Sequence, residues 1–257
     1  MGVLPGAEPY AHDGGPVGVV FCHGFTGSPQ SLRGWAEAVA GAGHSVRLPL
    51  LPGHGTTWQE MNRTGWQQWY AEVDAAFADL STRCESVLVA GLSMGGALAL
   101  RLAEQHGDAV AGVLLVNPAV RLTDPRLRAL PAVRRVVPSL AGIASDIKKP
   151  GAAELAYDRT PLNALASSLR FYAVVLRDLG AVRQPVLLFR SAQDHVVPAV
   201  SSARVLAGVS STDVTEVVLH DSYHVATLDN DAPAIVEESL AFVERVARAS
   251  RPGQATR

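Results

Sequence analysis

The sequence predicts an α/β protein, a mostly parallel central sheet flanked by helices, in one domain spanning residues 1–257. Three observations predict it. Short, almost continuous apolar runs alternate with helix-compatible stretches, the pattern of strands buried on both faces. A Gly-x-Ser-x-Gly turn stands at one junction from strand to helix. A chain of 257 residues is also long enough to bury one large core.

The elements follow in order. Val17-Gly18-Val19-Val20-Phe21 reads as a strand, and residues 31–40 carry helical spacing that Gly41 and Gly43 stop. Strands are expected over 45–50, 86–90, 113–116, 186–189 and 214–219. Helices are expected over 66–80, 94–104 and, amphipathic, 234–249. Between about 121 and 184 the rhythm breaks, with Pro125, Pro131, Pro138, Pro150 and Pro161 separating short helical pieces. A segment this long is not a structureless loop. It reads as a small cap insertion over the strand ends, or as a second packing layer elsewhere. In parallel sheets ligands bind beyond the carboxyl ends of the strands, so function is expected there.

Composition narrows the function classes. A formal net charge of −2 gives no basic footprint for nucleic acid and no polybasic signal for anionic membranes. No run of about 18 apolar residues suggests a membrane span. Residues 1–9 lack the basic start and apolar run of a secretory signal, so a cytoplasmic chain is expected. Cys22 and Cys84 read as free thiols, too few for a disulfide framework. No Cys or His pair has metal-ligand spacing, and no metal or other cofactor is expected.

Gly91-Leu92-Ser93-Met94-Gly95 supplies the candidate nucleophile. A turn this sharp brings the chain against itself, where a Cβ at either glycine would collide. It leaves Ser93 exposed above the sheet, at a helix N-terminus that favours negative charge. Acyl transfer also needs two N–H groups aimed at the developing oxyanion. Met94, next after Ser93, is one candidate, and Phe25 in the loop His23-Gly24-Phe25-Thr26-Gly27 is the other. His23 itself reads as a residue that orders this loop.

The chain order nucleophile, acid, histidine leaves His106, His195, His220 and His224 as candidate bases. His106 ends a helix, where a cation caps well. His195 adjoins the candidate acid Asp194 and cannot easily turn back to it, and His220 ends a strand. His224, on the loop beyond the last strand, is the expected general base. Asp194, on the loop after 186–189, is the expected acid that orients it, with Asp221 as the alternative.

With these residues in place the chain resembles the bacterial monoacylglycerol lipases and related carboxylesterases of the α/β-hydrolase superfamily. The likeness runs from Val17 to about Val243. It includes Leu51-Pro52-Gly53-His54-Gly55-Thr56, Gly91-Leu92-Ser93-Met94-Gly95-Gly96 and Asp194-His195-Val196-Val197-Pro198. More specific is the insertion sequence Ser145-Asp146-Ile147-Lys148-Lys149-Pro150 with Glu154-Leu155-Ala156-Tyr157. The resemblance implies an α/β-hydrolase fold with a cap and a serine esterase cleaving fatty-acyl glycerol esters through an acyl-enzyme. A general carboxylesterase on short or medium acyl esters, and an acyltransferase to an alcohol or sugar, are the alternatives. It further implies that Glu154 binds the glycerol hydroxyls, as an ionised carboxylate can. Ile143, with the apolar cap residues Leu140, Ile147, Leu162, Leu165 and Leu169, either lines an acyl tunnel or packs onto the sheet. The basic and apolar run from Arg126 to Val137 is either a solvated face or a transient contact with a lipid surface. The expected partner is a small lipid ester.

Overall fold

The computed structural model describes residues 2–142 and 145–249. Its main sheet has 7 strands. In chain order these are β1 (Tyr10–His12), β2 (Val17–Cys22), β3 (Ser45–Leu48), β4 (Ser86–Leu92) and β5 (Val110–Val116), then β8 (Val186–Ser191) and β9 (Val214–Leu219). A separate two-stranded ribbon joins β6 (Ser139–Ala141) to β7 (Arg159–Pro161). Across the main sheet the order is β1-β3-β2-β4-β5-β8-β9, and every pairing except β1 with β3 is parallel. The helices are α1 (Gln30–Gly41), α2 (Trp58–Met61), α3 (Trp66–Ser81), α4 (Met94–His106), α5 (Leu130–Val133), α6 (Leu162–Asp178), α7 (Val200–Gly208) and α8 (Ala232–Ala249).

Burial on both faces explains the continuous apolar runs. Along β2, Val17, Val19 and Phe21 point into one cluster while Val20 and Cys22 point into the other. The first cluster lies under α1 and α8. In α1, Leu32, Trp35, Ala36 and Val39 make one buried stripe at i, i+3, i+4 and i+7. The opposite cluster lies under α3, α4 and α6, where Trp69, Phe77, Leu98 and Phe171 are buried.

Three differences from the expected elements have physical reasons. The second strand stops at Leu48 because Pro49 has no N–H to continue the ladder. Strand β1 is only three residues long and adds antiparallel at the edge, too short to show a period. Helix α7 escapes the sequence pattern because part of its buried face is serine: Ser201 and Ser202 are buried beside Val205. Ser201 Oγ accepts the N–H groups of Val120 and Arg121 and donates to Pro118 O, so it pins the chain leaving β5.

The segment 121–184 divides between two surroundings. The described residues up to β7 run past the carboxyl ends of the strands, with Leu122, Thr123, Asp146 and Glu154 on the cavity there. Helix α6 packs instead beside α3 and α4, with Phe171 and Val175 fully buried and Trp66 stacked on Phe171 at 5.1 Å. It still lends Leu165 and Tyr172 to the cavity wall.

Candidate active site

The carboxyl ends of β2, β4, β5, β8 and β9 converge on one cavity of about 470 Å³. Ser93 sits where β4 passes into α4, with φ 56° and ψ −119°, a conformation that costs a non-glycine residue energy. Packing enforces it. Ser93 N donates to Val116 O at 3.0 Å, and its carbonyl accepts from Gly96 N and Ala119 N. A Cβ on Gly95 would lie 1.8 Å from Cys22 O, and one on Gly91 would lie 2.1 Å from Gly95 O. The two glycines of the motif are thus where β2, β4 and α4 touch backbone to backbone.

Phe25 and Met94 flank this turn. Met94 heads α4, whose first N–H groups have no acceptor within the helix. Phe25 lies on the cavity between Gly24 and Thr26, and among the described residues its N–H meets no protein acceptor. Thr26 is held at φ 63°, and its carbonyl accepts from Tyr157 N at 3.1 Å. His23 is completely buried: its Nε2 accepts from Leu51 N at 3.1 Å, leaving Nδ1–H to donate to Gly24 O at 3.0 Å. Burial holds this imidazole down at about 4, against a weaker push upward from Gly24 O, so it stays neutral and structural.

His224 Nδ1 bonds Asp194 Oδ2 at 2.8 Å, both side chains being more than nine-tenths buried. Asp194 Oδ1 accepts from Val196 N and Val197 N. Burial opposes charge on both partners. Their mutual hydrogen bond and attraction outweigh it, holding Asp194 below the ordinary carboxylate range and His224 above the ordinary imidazole range. Glu154 and Asp146 add to the upward shift of His224. His224 and Ser93 line the same cavity without a hydroxyl–imidazole hydrogen bond in this structure. Asp221, the alternative acid, is turned outward and paired with Lys148 Nζ at 2.7 Å.

The other histidines have occupations elsewhere. His106 bonds Asp74 at 2.6 Å, His220 is exposed, and His195 bonds Asp146 Oδ1 at 2.7 Å. Glu154 reaches the cavity beside Gly27, where a Cβ would lie 2.6 Å from its Oε1. Its carboxylate takes no protein hydrogen bond among the described residues, and burial pushes it up to about 7 against the pull of His224. Of the apolar cap residues, Leu165 lines the cavity, Leu162 is buried, Ile147 and Leu169 pack against the core and Leu140 is exposed. Ile143 lies outside the described residues.

Residues 17–231 match the family described as serine aminopeptidase, S33. The chain belongs to that family. The chain is 45% identical over 241 residues to a thermostable monoacylglycerol lipase of Bacillus sp. strain H-257, covering 93% of this chain and 95% of that one. A carboxylesterase of Bacillus subtilis strain 168 is 22% identical, with 93% and 97% covered. A solved structure from work on LipS and LipT, two metagenome-derived lipolytic enzymes, superposes with a TM-score of 0.93 at 44% identity, covering 95% of this chain and 100% of that one. The monoacylglycerol lipase of Paleococcus ferrophilus, 21% identical with 93% and 98% covered, shares the fold at a TM-score of 0.74. The resemblance drawn from the motifs is borne out, and with it the α/β-hydrolase fold.

Sequence reasoning missed several residues around this S33 site. Asn117, at the end of β5 with φ 44°, accepts Ser191 N and donates to Ser191 Oγ and His224 O. Asp229 is buried and accepts from Lys148 N, Lys149 N, Tyr223 N and Asn230 N. The only signal for Asn117 was a polar residue directly after an apolar strand. For Asp229 there was none, because its link to the cap, through Lys148 N and Lys149 N, spans some 80 positions.

Proposed function

We propose that the chain is a serine ester hydrolase that cleaves monoacylglycerols through an acyl-enzyme on Ser93. The observation that carries this reading is one cavity bearing Ser93, the His224–Asp194 pair and the otherwise unbonded Glu154 carboxylate. Asp194 fixes the tautomer: Nδ1 carries the proton, so Nε2 is the basic nitrogen. The reaction requires the Ser93 hydroxyl to meet Nε2 across the cavity both residues line, a contact that commonly tightens only with substrate bound.

Nε2 then takes the hydroxyl proton as Oγ adds to the ester carbonyl. The Phe25 and Met94 N–H groups hold the oxyanion. The C–O bond to glycerol breaks, and the imidazolium returns its proton to the leaving alkoxide. Water, deprotonated by His224, releases the fatty acid and restores Ser93. Glu154 accepts hydrogen bonds from the glycerol hydroxyls, while Leu122, Leu127, Leu165 and Val197 offer an apolar wall to the acyl chain. The relative named a monoacylglycerol lipase supports this substrate class.

The described residues of 121–161 act as the cap over this site, with Leu165 and Tyr172 of α6 completing its wall. Exposed Val136 and Leu140, near Arg128, Arg134 and Arg135, suit a transient contact with a lipid surface that delivers the substrate. No described helix is long and apolar enough to cross a membrane. Free Cys22 and Cys84 fit a reducing, cytoplasmic setting.

The test is Ser93→Ala, assayed on monoacylglycerols and by fluorophosphonate labelling. Both hydrolysis and labelling should disappear, with thermal unfolding kept cooperative; surviving hydrolysis sinks the assignment. Transfer of the acyl group to an added alcohol in preference to water would replace hydrolase by acyltransferase.

A further inference from the structure

One cap side chain touches both loops that carry the charge pair. Asp146 Oδ2 accepts the backbone N–H groups of His224 and His195, each at 3.2 Å, and Oδ1 takes His195 Nδ1 at 2.7 Å. Its own carbonyl accepts Val225 N at 3.1 Å. His195 directly follows Asp194, and Val225 directly follows His224. The two loops are far apart in the chain, and their acid and base meet only through the 2.8 Å bond between His224 and Asp194.

We propose that Asp146 is a positioning residue for acyl transfer, setting the Asp194 and His224 loops against each other from the cap side. The inference rests on the Ser93–His224–Asp194 reading above. Three features argue for it. Two carboxylate oxygens take three N–H donors, an arrangement no neutral side chain of that size reproduces. The side chain is only 10% exposed, so without these donors it would be a buried unpaired charge. Asn117 holds the His224 carbonyl and Ser191 from the sheet side, so the base is clamped from below by the sheet and from above by the cap.

The charge of Asp146 also acts through space. His224 is faced by Asp194 from the β8 loop, by Glu154 and Asp146 from the cap, and by the Ser93 turn. His195 shares Asp146, Lys148 is paired with Asp221, and Asp124 and Arg126 at the cavity mouth are paired with each other. Each carboxylate facing His224 favours its protonated form, so removing one makes the imidazole easier to deprotonate.

The experiment is the pH profile of p-nitrophenyl butyrate hydrolysis by Asp146→Asn. We expect kcat to fall about tenfold or more, since small misplacement of a base is costly. KM should change by less than about twofold, because the Asp146 oxygens, although on the cavity wall, are taken by protein donors and not offered to the substrate. The acid limb of kcat/KM should move to lower pH. An unchanged kcat with an unmoved limb overturns the proposal. Asp229→Asn is the comparison: it breaks bonds of the same cap strap and should lower Tm without moving the limb. If Asp146→Asn does not fold, Asp146→Glu carries the test, with charge kept and reach altered. Its kcat should fall while the limb stays, and a wild-type kcat would overturn the idea. Ser93→Ala alongside separates the failures: activity there defeats the triad reading, whereas an inactive Ser93→Ala beside a fully active Asp146→Asn defeats this inference alone.

Discussion

Glu154 is a carboxylate placed where it loses water and gains no protein donor. Its backbone is well anchored: Glu154 N donates to Ser145 Oγ at 2.9 Å, and its neighbours Ala153 and Leu155 both bond the Gln30 side chain. The carboxyl group is thus held toward the cavity at the expense of its own solvation, which is why burial raises it to about 7. Such a group is repaid only when something else supplies donors, and two vicinal hydroxyls do so. A hydrogen bond to a charged acceptor contributes about 1.5–3 kcal/mol. Glu154→Ala should therefore raise KM for monoacylglycerols about tenfold to a hundredfold while p-nitrophenyl butyrate changes far less. The comparison belongs on the alkaline plateau of each pH profile, where loss of the Glu154 charge, which helps hold His224 above the ordinary imidazole range, does not alter the fraction of neutral base. Equal losses on the two substrates would show that Glu154 serves the structure and not the glycerol.

At the scale of elements, the strained turn at Ser93 is a product of how closely three of them approach. Strand β2, strand β4 and helix α4 meet at Gly91 and Gly95 with no room for a methyl group. Gly95→Ala puts a Cβ against the carbonyl of Cys22, the last residue of β2, and the loop beyond it carries Phe25. Backbone must move, and a shift of Cys22 carries with it the loop of Phe25, the proposed oxyanion donor. We expect kcat/KM to fall about a hundredfold or more, with a lowered Tm. Wild-type turnover in this variant would mean that the contact is looser than the structure has it. The same tightness explains what was legible in the sequence. Strand runs, the glycine turn and the order Ser93, Asp194, His224 are written locally, in spacing and residue type. Helix α7 was not legible because its buried face is partly serine, and α6 was read as cap because its apolar stripe does not say which surface it covers. The roles of Asp146, Asp229 and Asn117 were invisible for a deeper reason: each bonds backbone groups of distant loops, and backbone groups leave no trace in composition.

Across the whole molecule, buried titratable groups of opposite type set how stability depends on pH. His23 and His54 are buried imidazoles with ring centroids 5.0 Å apart. Burial holds His23 at about 4, and burial plus the neighbouring His23 holds His54 well below its ordinary value. Between pH 6.5 and about 4 the unfolded chain therefore binds more protons than the folded one, and stability falls as pH falls. Glu104 works the other way. It is buried in α4, with Oε2 on Arg101 at 2.9 Å and Oε1 unpaired, and burial raises it to about 7 despite Arg101. Between pH 4.5 and about 7 the folded state keeps the proton longer, so stability falls as pH rises, and Glu154 has the same sign. Either effect is worth roughly 3 kcal/mol across its window. They overlap and oppose between pH 4.5 and 6.5, so the wild-type profile there should be flatter than either effect alone would make it. Variants should tilt it. Glu104→Gln should gain Tm relative to wild type as pH rises from 5 to 8, by about 5–10 °C. His23→Gln, less stable at pH 7, should recover toward wild type as pH drops to 4.5. Offsets that stay constant with pH in both variants would show that neither group holds its altered proton affinity in the folded chain.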